Sequence, residues 1–304
     1  MSGLDTSARR DEVSVVIPTI GRATLARTLR SIAAQTHLPD QVVVAKNGDF
    51  ELQADVMQIL ASLRSRGQQV VVLHNGPVDV QRGRNLGLAQ VTGEFVTYLD
   101  DDDEFSPQRI ERFRAQWTDE AAFLYTDETR VTPSGRISVF RRRETVNAHD
   151  IALENYVGNQ VFTRSQRLRE VGGYDEALSA AQDYDLWIRL IHRFGAARRS
   201  LGGEQLIHWS GDSISANRSK RSRGYLKVYF KHRRKVNLSK AERAWKIHYL
   251  RFHLGRPLWL RTYIQLMTGR LPVQTRVDAT WFMYSRLRER WRRGSGFLGR
   301  SQAL

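Results

Sequence analysis

The stretch Glu94-Phe95-Val96-Thr97-Tyr98-Leu99-Asp100-Asp101-Asp102-Asp103-Glu104 decides the fold of this chain. Phe95 to Leu99 is short and rich in aromatic, β-branched and apolar residues, which suits a strand covered on both faces. Four aspartates and a glutamate then stop it, and carboxylates do not continue into a core. A buried strand that ends this way sets its acidic run at the edge of a sheet.

Working back toward the N-terminus, the same grammar recurs. Val13–Ile17 is followed by a helical pattern with Leu25, Leu29 and Ile32 on one face, and Val42–Val44 by Leu52, Val56, Ile59 and Leu63. Val70–Leu73 precedes a helix through Leu86 and Ala89. Strands alternating with helices predict βαβ units around a mostly parallel sheet with helices on both faces, an α/β class. In such sheets ligands sit outside the carboxyl ends of the strands. There the sequence places Pro18-Thr19-Ile20-Gly21-Arg22, Lys46-Asn47-Gly48-Asp49, Asn75-Gly76-Pro77 and the acidic run. Four strand ends should therefore share one edge.

Past residue 120 the pattern mixes, with strands expected at Ala122–Tyr125 and Ile137–Phe140. Gly158-Asn159-Gln160-Val161-Phe162 reads as a loop entering a strand, and Gly172-Gly173-Tyr174-Asp175 as a turn before a helix from Asp183 to Arg193.

Four carboxylates crowded at the end of a buried strand repel one another unless a cation lies among them. In an extended segment residues i and i+2 point the same way, so Asp100 and Asp102 could share one hard divalent ion, Mg²⁺ or Mn²⁺. The competing reading is a solvated turn capping a helix near Pro107, with Ser106 as N-cap. A second acidic group, Gln182-Asp183-Tyr184-Asp185, opens the later helix. Its Asp183 is either a reactive carboxylate or an ordinary acidic residue of a first turn.

Five blocks taken together have a family likeness: Val13–Thr19 with the helix ending in Gln35-Thr36; Arg84-Asn85-Leu86-Gly87; Phe95–Asp103; Gly172–Asp175; and Gln182–Trp187. In order and spacing they resemble the family 2 inverting glycosyltransferases of the GT-A fold, a Rossmann-like architecture, across about residues 12–215. The resemblance implies an enzyme that moves a sugar from a nucleotide-diphosphate sugar to a hydroxyl of a glycan. Asp100 and Asp102 match the family's metal-binding D-x-D, and Asp183 matches its base. Pro18, Thr19 and Arg84 match positions near the nucleotide, as does the acidic run at Asp100 and Asp101. Asn159, Gln160, Gly173 and Tyr174 fall on the acceptor side. His208, followed by Ser213-Ile214-Ser215, looks like the histidine that completes the metal site in some members; an ordinary strand-end histidine is the alternative. Lys46-Asn47 stands where many members carry paired aspartates, so Asn47 would meet the base with an amide instead of a carboxylate. Gln182 replaces a common glutamate, which lessens like-charge coupling to Asp183.

Composition supplies the setting. The 304 residues contain no cysteine, which excludes disulfides and thiolate metal sites and fits a cytoplasmic location. Met1–Asp11 lacks the apolar core of a signal peptide, and no window approaches the ~20 apolar residues of a membrane span. The net charge of +16 is lopsided: residues 1–216 carry 25 Lys+Arg against 29 Asp+Glu, and residues 217–304 carry 23 against 3. That division predicts a catalytic domain over 1–216 and a basic, aromatic, helical extension over 217–304. In the extension Val277, Trp281, Tyr284, Leu287 and Trp291 fall on one helical face, with Arg286, Arg290 and Arg293 available for another. Such a helix suits the headgroup layer of an anionic membrane surface, which makes the chain peripheral on the inner face and its acceptor lipid-linked; a soluble glycan stays open. The apolar face could equally pack on the catalytic domain. Two rival functions remain at this stage. Nucleic-acid binding by the aromatic-basic tail lacks a recognised module, so no nucleic acid is expected. A sugar nucleotidyltransferase would carry a glycine-rich phosphate loop, whereas residues 18–22 hold a single glycine.

Overall fold

The computed structural model describes residues 9–132, 134, 135, 137–208 and 218–239, together with 242, 243, 246, 247 and 250. In chain order the first half comprises β1 (Arg9–Thr19), α1 (Leu25–Ala33), β2 (Gln41–Lys46), α2 (Ala54–Ser65), β3 (Gln69–His74), α3 (Val80–Ala89) and β4 (Gly93–Tyr98). Then follow β5 (Glu104–Phe105), α4 (Arg109–Gln116), β6 (Leu124–Tyr125), β7 (Glu128–Val131), β8 (Ile137–Phe140), β9 (Thr145–Val146) and α5 (Ala148–Leu153). The remainder is β10 (Phe162–Arg164), α6 (Ser165–Glu170), α7 (Gln182–Phe194), β11 (Ala197–Arg199), β12 (Gln205–His208) and α8 (Arg218–His232). Two compact units are present, Met1–Val236 and Asn237–Leu304, so the first runs twenty residues past the boundary at which the charge changes.

The main sheet has the order β3-β2-β1-β4-β10-β6-β11-β9, and its first four strands are parallel. This is the mostly parallel α/β sheet that the sequence predicts. The continuous valine runs of β1 and β2 are buried on both faces, whereas β3, at the edge, is half-buried. Leu25, Leu29 and Ile32 of α1 meet Val56, Leu60 and Leu63 of α2 on one face of that sheet. Each such side chain contributes about 1.5–3 kcal/mol on burial. The other face carries α3 and α7 over Val16, Val43 and Val96. Gly87 lets α3 approach, since a Cβ there would stand 2.5 Å from Val16 Cγ1.

A second sheet, β5-β12-β7-β8, returns the chain to the edge where the acidic run lies. Within the first unit α8 packs on α7. Tyr225 stacks on Tyr184 at 5.0 Å, and His232 Nε2 stands 2.7 Å from an oxygen of Asp185. Gly224 comes so near the segment before α7 that a Cβ would lie 2.5 Å from the Ala180 carbonyl. Among the described residues no helix is long and apolar enough to cross a membrane.

Three local expectations change. The strand expected at Ala122–Tyr125 is limited to Leu124–Tyr125. Ser106 does not cap α4, which begins at Arg109 after Gln108. The cap comes from another element: Gln35 Oε1 accepts the Ile110 N–H at 3.2 Å, and Gln35 Nε2 donates to the Ser106 carbonyl at 2.8 Å. Third, Asp100–Asp103 is a turn, with the Asp103 N–H donating to the Asp100 carbonyl at 3.1 Å, not an extended segment. The tail helix expected around Val277–Trp291 lies outside the described residues.

Candidate active site

The turn at the end of β4 is held by α1. Thr24 Oγ1, Arg27 Nη2 and Thr28 Oγ1 donate to the carbonyls of Asp101, Asp102 and Asp103 at 2.7, 2.7 and 2.8 Å. With three consecutive carbonyls engaged, the carboxylates are left to turn elsewhere. Asp101 accepts from Thr19 Oγ1 at 2.7 Å, which ties it to the end of β1 beyond Pro18. Arg22 bridges Asp101 and Asp102. Burial raises the Asp101 pKa against the Thr19 hydrogen bond, and burial followed by repulsion from Asp100 raises that of Asp102. Asp103 is pushed well above the ordinary range by burial and by repulsion from Asp100 and Asp102.

Arg84 is the centre of the site. It lies on α3, is 6% exposed, and donates through Nη2 to Asp100 Oδ1 at 2.6 Å. Its guanidinium stands 5.2 Å from the ring centre of Tyr174. Burial opposes its charge, but Asp100, Tyr174 and Asp183 more than compensate and hold its pKa above the usual value. Asp183 is half-buried in the first turn of α7. Burial raises its pKa, Arg84 pulls it back, and Asp100 adds repulsion. One guanidinium thus acts on both acidic clusters of the sequence, through its hydrogen bond to Asp100 and its charge interaction with Asp183. Ala181, just before α7, has φ of 60°, a left-handed conformation that costs a residue with a Cβ about 1–2 kcal/mol. Strain of this kind gathers at functional sites.

Asn85, next to Arg84, holds the turn at Gly173 and Tyr174. Its Oδ1 accepts the Tyr174 N–H at 2.8 Å and its Nδ2 donates to the Tyr174 carbonyl at 2.9 Å. Gly173, at φ of 64°, passes so close that a Cβ would stand 2.6 Å from Asn85 Oδ1. Asn159 donates to Asp100 Oδ2 at 3.3 Å. Its loop is held by Trp187 of α7, whose indole N–H donates to the Gly158 carbonyl at 3.0 Å. Gln160 is buried, and neither of its side-chain polar atoms has a hydrogen-bond partner.

A cavity of about 560 Å³ is lined by Asn47, Pro77, Val78, Asp79, Arg82 and Glu176. Asn47 follows β2, and its backbone N–H donates to the Thr19 carbonyl at 2.8 Å. Its Oδ1 accepts from Asn75 at 3.1 Å while its Nδ2 is buried without a partner. Buried polar atoms are seldom left unpaired. Here Asn47 Nδ2, Arg84 Nε and both atoms of Gln160 all belong to residues named from the sequence.

His208, at the end of β12, stands with Nε2 2.5 Å from Glu104 Oε1; Glu104 also pairs with Arg27. Ser213–Ser215 lie outside the described residues. Among the described residues no three His, Asp or Glu side chains converge as a metal site. The acidic run nevertheless suits a hard divalent cation, whose charge would offset the burial and repulsion that raise the pKa values of Asp102 and Asp103. Asp100 and Asp102 would be its ligands, with donor oxygens and water completing the shell.

Residues 14–171 match the pattern of glycosyl transferase family 2. The chain belongs to that family. It is therefore a glycosyltransferase, and sugar transfer takes precedence over nucleic-acid binding and nucleotidyl transfer. The chain is 26% identical over 270 residues to a protein of Escherichia coli named as a colanic acid biosynthesis glycosyl transferase, WcaA, covering 85% of this chain and 94% of that one. It is 29% identical over 221 residues to the O-antigen biosynthesis protein RfbC of Myxococcus xanthus, covering 69% of this chain but only 17% of RfbC. Among solved structures, S. aureus TarS in complex with UDP-GlcNAc is similar in fold, with a TM-score of 0.58 at 17% identity, covering 88% of this chain and 79% of that one.

Arg22, Arg82, Asn75 and Glu176 are site residues that the sequence reading did not single out. Arg22 and Asn75 had a signal, since they stand in the turns after β1 and β3. Arg82, on α3, and Glu176, in the segment before α7, give no local sign of their neighbours.

Proposed function

We propose that this chain transfers a sugar, with inversion, from a nucleoside diphosphate to a glycan hydroxyl in the synthesis of cell-surface polysaccharide. Asp183 is the base, and Mn²⁺ or Mg²⁺ binds at Asp100 and Asp102. The observation that carries this reading is Arg84, whose buried guanidinium interacts with both Asp100 and Asp183. The polysaccharide context draws on the printed names of the relatives from Escherichia coli and Myxococcus xanthus.

The nucleoside fits the cavity beside Asn47, whose unpaired Nδ2 offers a donor to the base. The amide leaves uridine one option among several. When bound, the cation supplies positive charge to the diphosphate as it departs. Asp183 accepts the acceptor hydroxyl's proton while that oxygen bonds to the anomeric carbon and the bond to phosphate breaks. Attack opposite the leaving group inverts the centre. Asn159, Gln160 and Tyr174 line the side from which the hydroxyl arrives. The basic residues after 217 favour an anionic bilayer, and with it a lipid-linked acceptor at the inner face of the cell membrane.

The test is a panel of nucleotide sugars assayed for transfer with Mn²⁺, Mg²⁺ or a chelator, on wild type and Asp183→Asn. The variant should lose at least ~100-fold in turnover with donor affinity near normal. Unchanged turnover removes Asp183 from the mechanism, and full activity in chelator removes the metal.

A further inference from the structure

The hairpin formed by β7 and β8 does nothing in this chemistry. Its strands pair antiparallel, with Val131 opposite Ile137 and Thr129 opposite Val139. Directly opposed residues share a face, so Val131, Ile137 and Val139 form one apolar stripe. Ile137 is 64% and Val139 61% exposed, while Phe140, on the other face, is 40% exposed under the guanidinium of Arg130 at 4.1 Å. Large apolar side chains exposed together on an edge strand usually mark a contact surface.

The charges around the stripe narrow its partner. Residues 129–143 include Arg130, Arg136, Arg141, Arg142 and Arg143 and no acidic residue. Glu128 pairs with Arg130 and Arg142 at the hairpin's base, and Asp150 with Arg143. A second copy joined edge to edge along β8 would bring one net-positive segment against another, which disfavours self-pairing. Apolar side chains framed by arginine instead match a bilayer with anionic headgroups, where rings and aliphatic groups enter and guanidinium groups meet phosphate.

The base of the hairpin adjoins the acceptor loop. Gly158 lies so close to Arg142 that a Cβ would stand 3.4 Å from Nη2, and the next residue, Asn159, bonds to Asp100. We propose that the β7–β8 hairpin is a membrane-contacting element of the catalytic unit, which sets the Ile137 and Val139 face into an anionic lipid surface and holds the acceptor side of the cleft against it. This contact does not depend on the basic tail.

The absence of cysteine gives a clean test. A Val139→Cys variant of the full chain, labelled with an environment-sensitive fluorophore, is mixed with phosphatidylglycerol–phosphatidylcholine vesicles and with vesicles of phosphatidylcholine alone. Fluorescence should rise and shift to the blue with the anionic vesicles. In unlabelled protein, Ile137→Ser with Val139→Ser should weaken co-sedimentation about tenfold. A label that stays in water while the protein sediments with the vesicles would overturn the proposal, because the tail then carries the binding. A blue shift that rises with protein concentration in the absence of lipid would also overturn it, in favour of a second copy. Donor hydrolysis by the labelled chain reports separately on the catalytic reading.

Discussion

Replacing Asp185 by asparagine removes one charge from the point where α8 is fastened to α7. Asp185 is fully buried and accepts from Arg189 Nε at 2.9 Å, Lys231 Nζ at 2.8 Å and His232 Nε2 at 2.7 Å. Burial works to raise its pKa, but His232, Arg189 and Lys231 overcome that and hold it at about 2, against 3.8 for a free aspartate. A difference of nearly two pH units corresponds to about 2–3 kcal/mol of folding stability. For a unit of this size that amounts to a fall of about 5–10 °C in Tm. The sign follows from a depressed folded pKa: the stabilisation is fully present above about pH 4 and lost as pH falls toward 2. Chemical denaturation of wild type and Asp185→Asn at several pH values measures both the size and the window. Equal stability at neutral pH, or a difference that persists unchanged near pH 2, would refute the reasoning.

Other outcomes follow from the same geometry. The acid limb of the pH–rate profile should lie above the ordinary carboxylate range, since burial raises Asp183 and the base must be ionised. Arg84→Met should move that limb further up, because Arg84 holds the pKa down; a profile that does not move would mean the limb belongs to another group. Gly83→Ala should raise the donor KM with little change in kcat, since its Cβ would collide with the Asn47 side chain at 2.2 Å. Donor titrations on the two forms check this.

The parallel half of the fold was legible because its signal is local. Valine runs at Val13–Ile17 and Val42–Val44 admit few other readings, and strand ends in such a sheet converge of necessity. Asn47 and the acidic run at Asp100 were therefore set at one edge by the strand pattern, whereas Arg84 and Asp183 entered through the family resemblance. The shape of the acidic run was not, because side chains of α1, some 75 positions away, take its carbonyls and bend it. The cap on α4 escaped for the same reason, being Gln35 from a different element. Strands as short as Glu104–Phe105 carry no periodicity and exist only through distant partners. The charge step at residue 217 marked a change of composition, but it could not reveal that Lys231 and His232 of α8 are matched by Asp175 and Asp185.

The close approach of Gly224 to Ala180 bears on any effort to shorten the protein. Trimming the basic segment where its composition begins would strip α8 from α7, the helix that carries Asp183, and leave a hollow where a helix had been. A cut after Val236 keeps that backing in place and removes only the second unit, so the two truncations should behave as different molecules and not as two lengths of one.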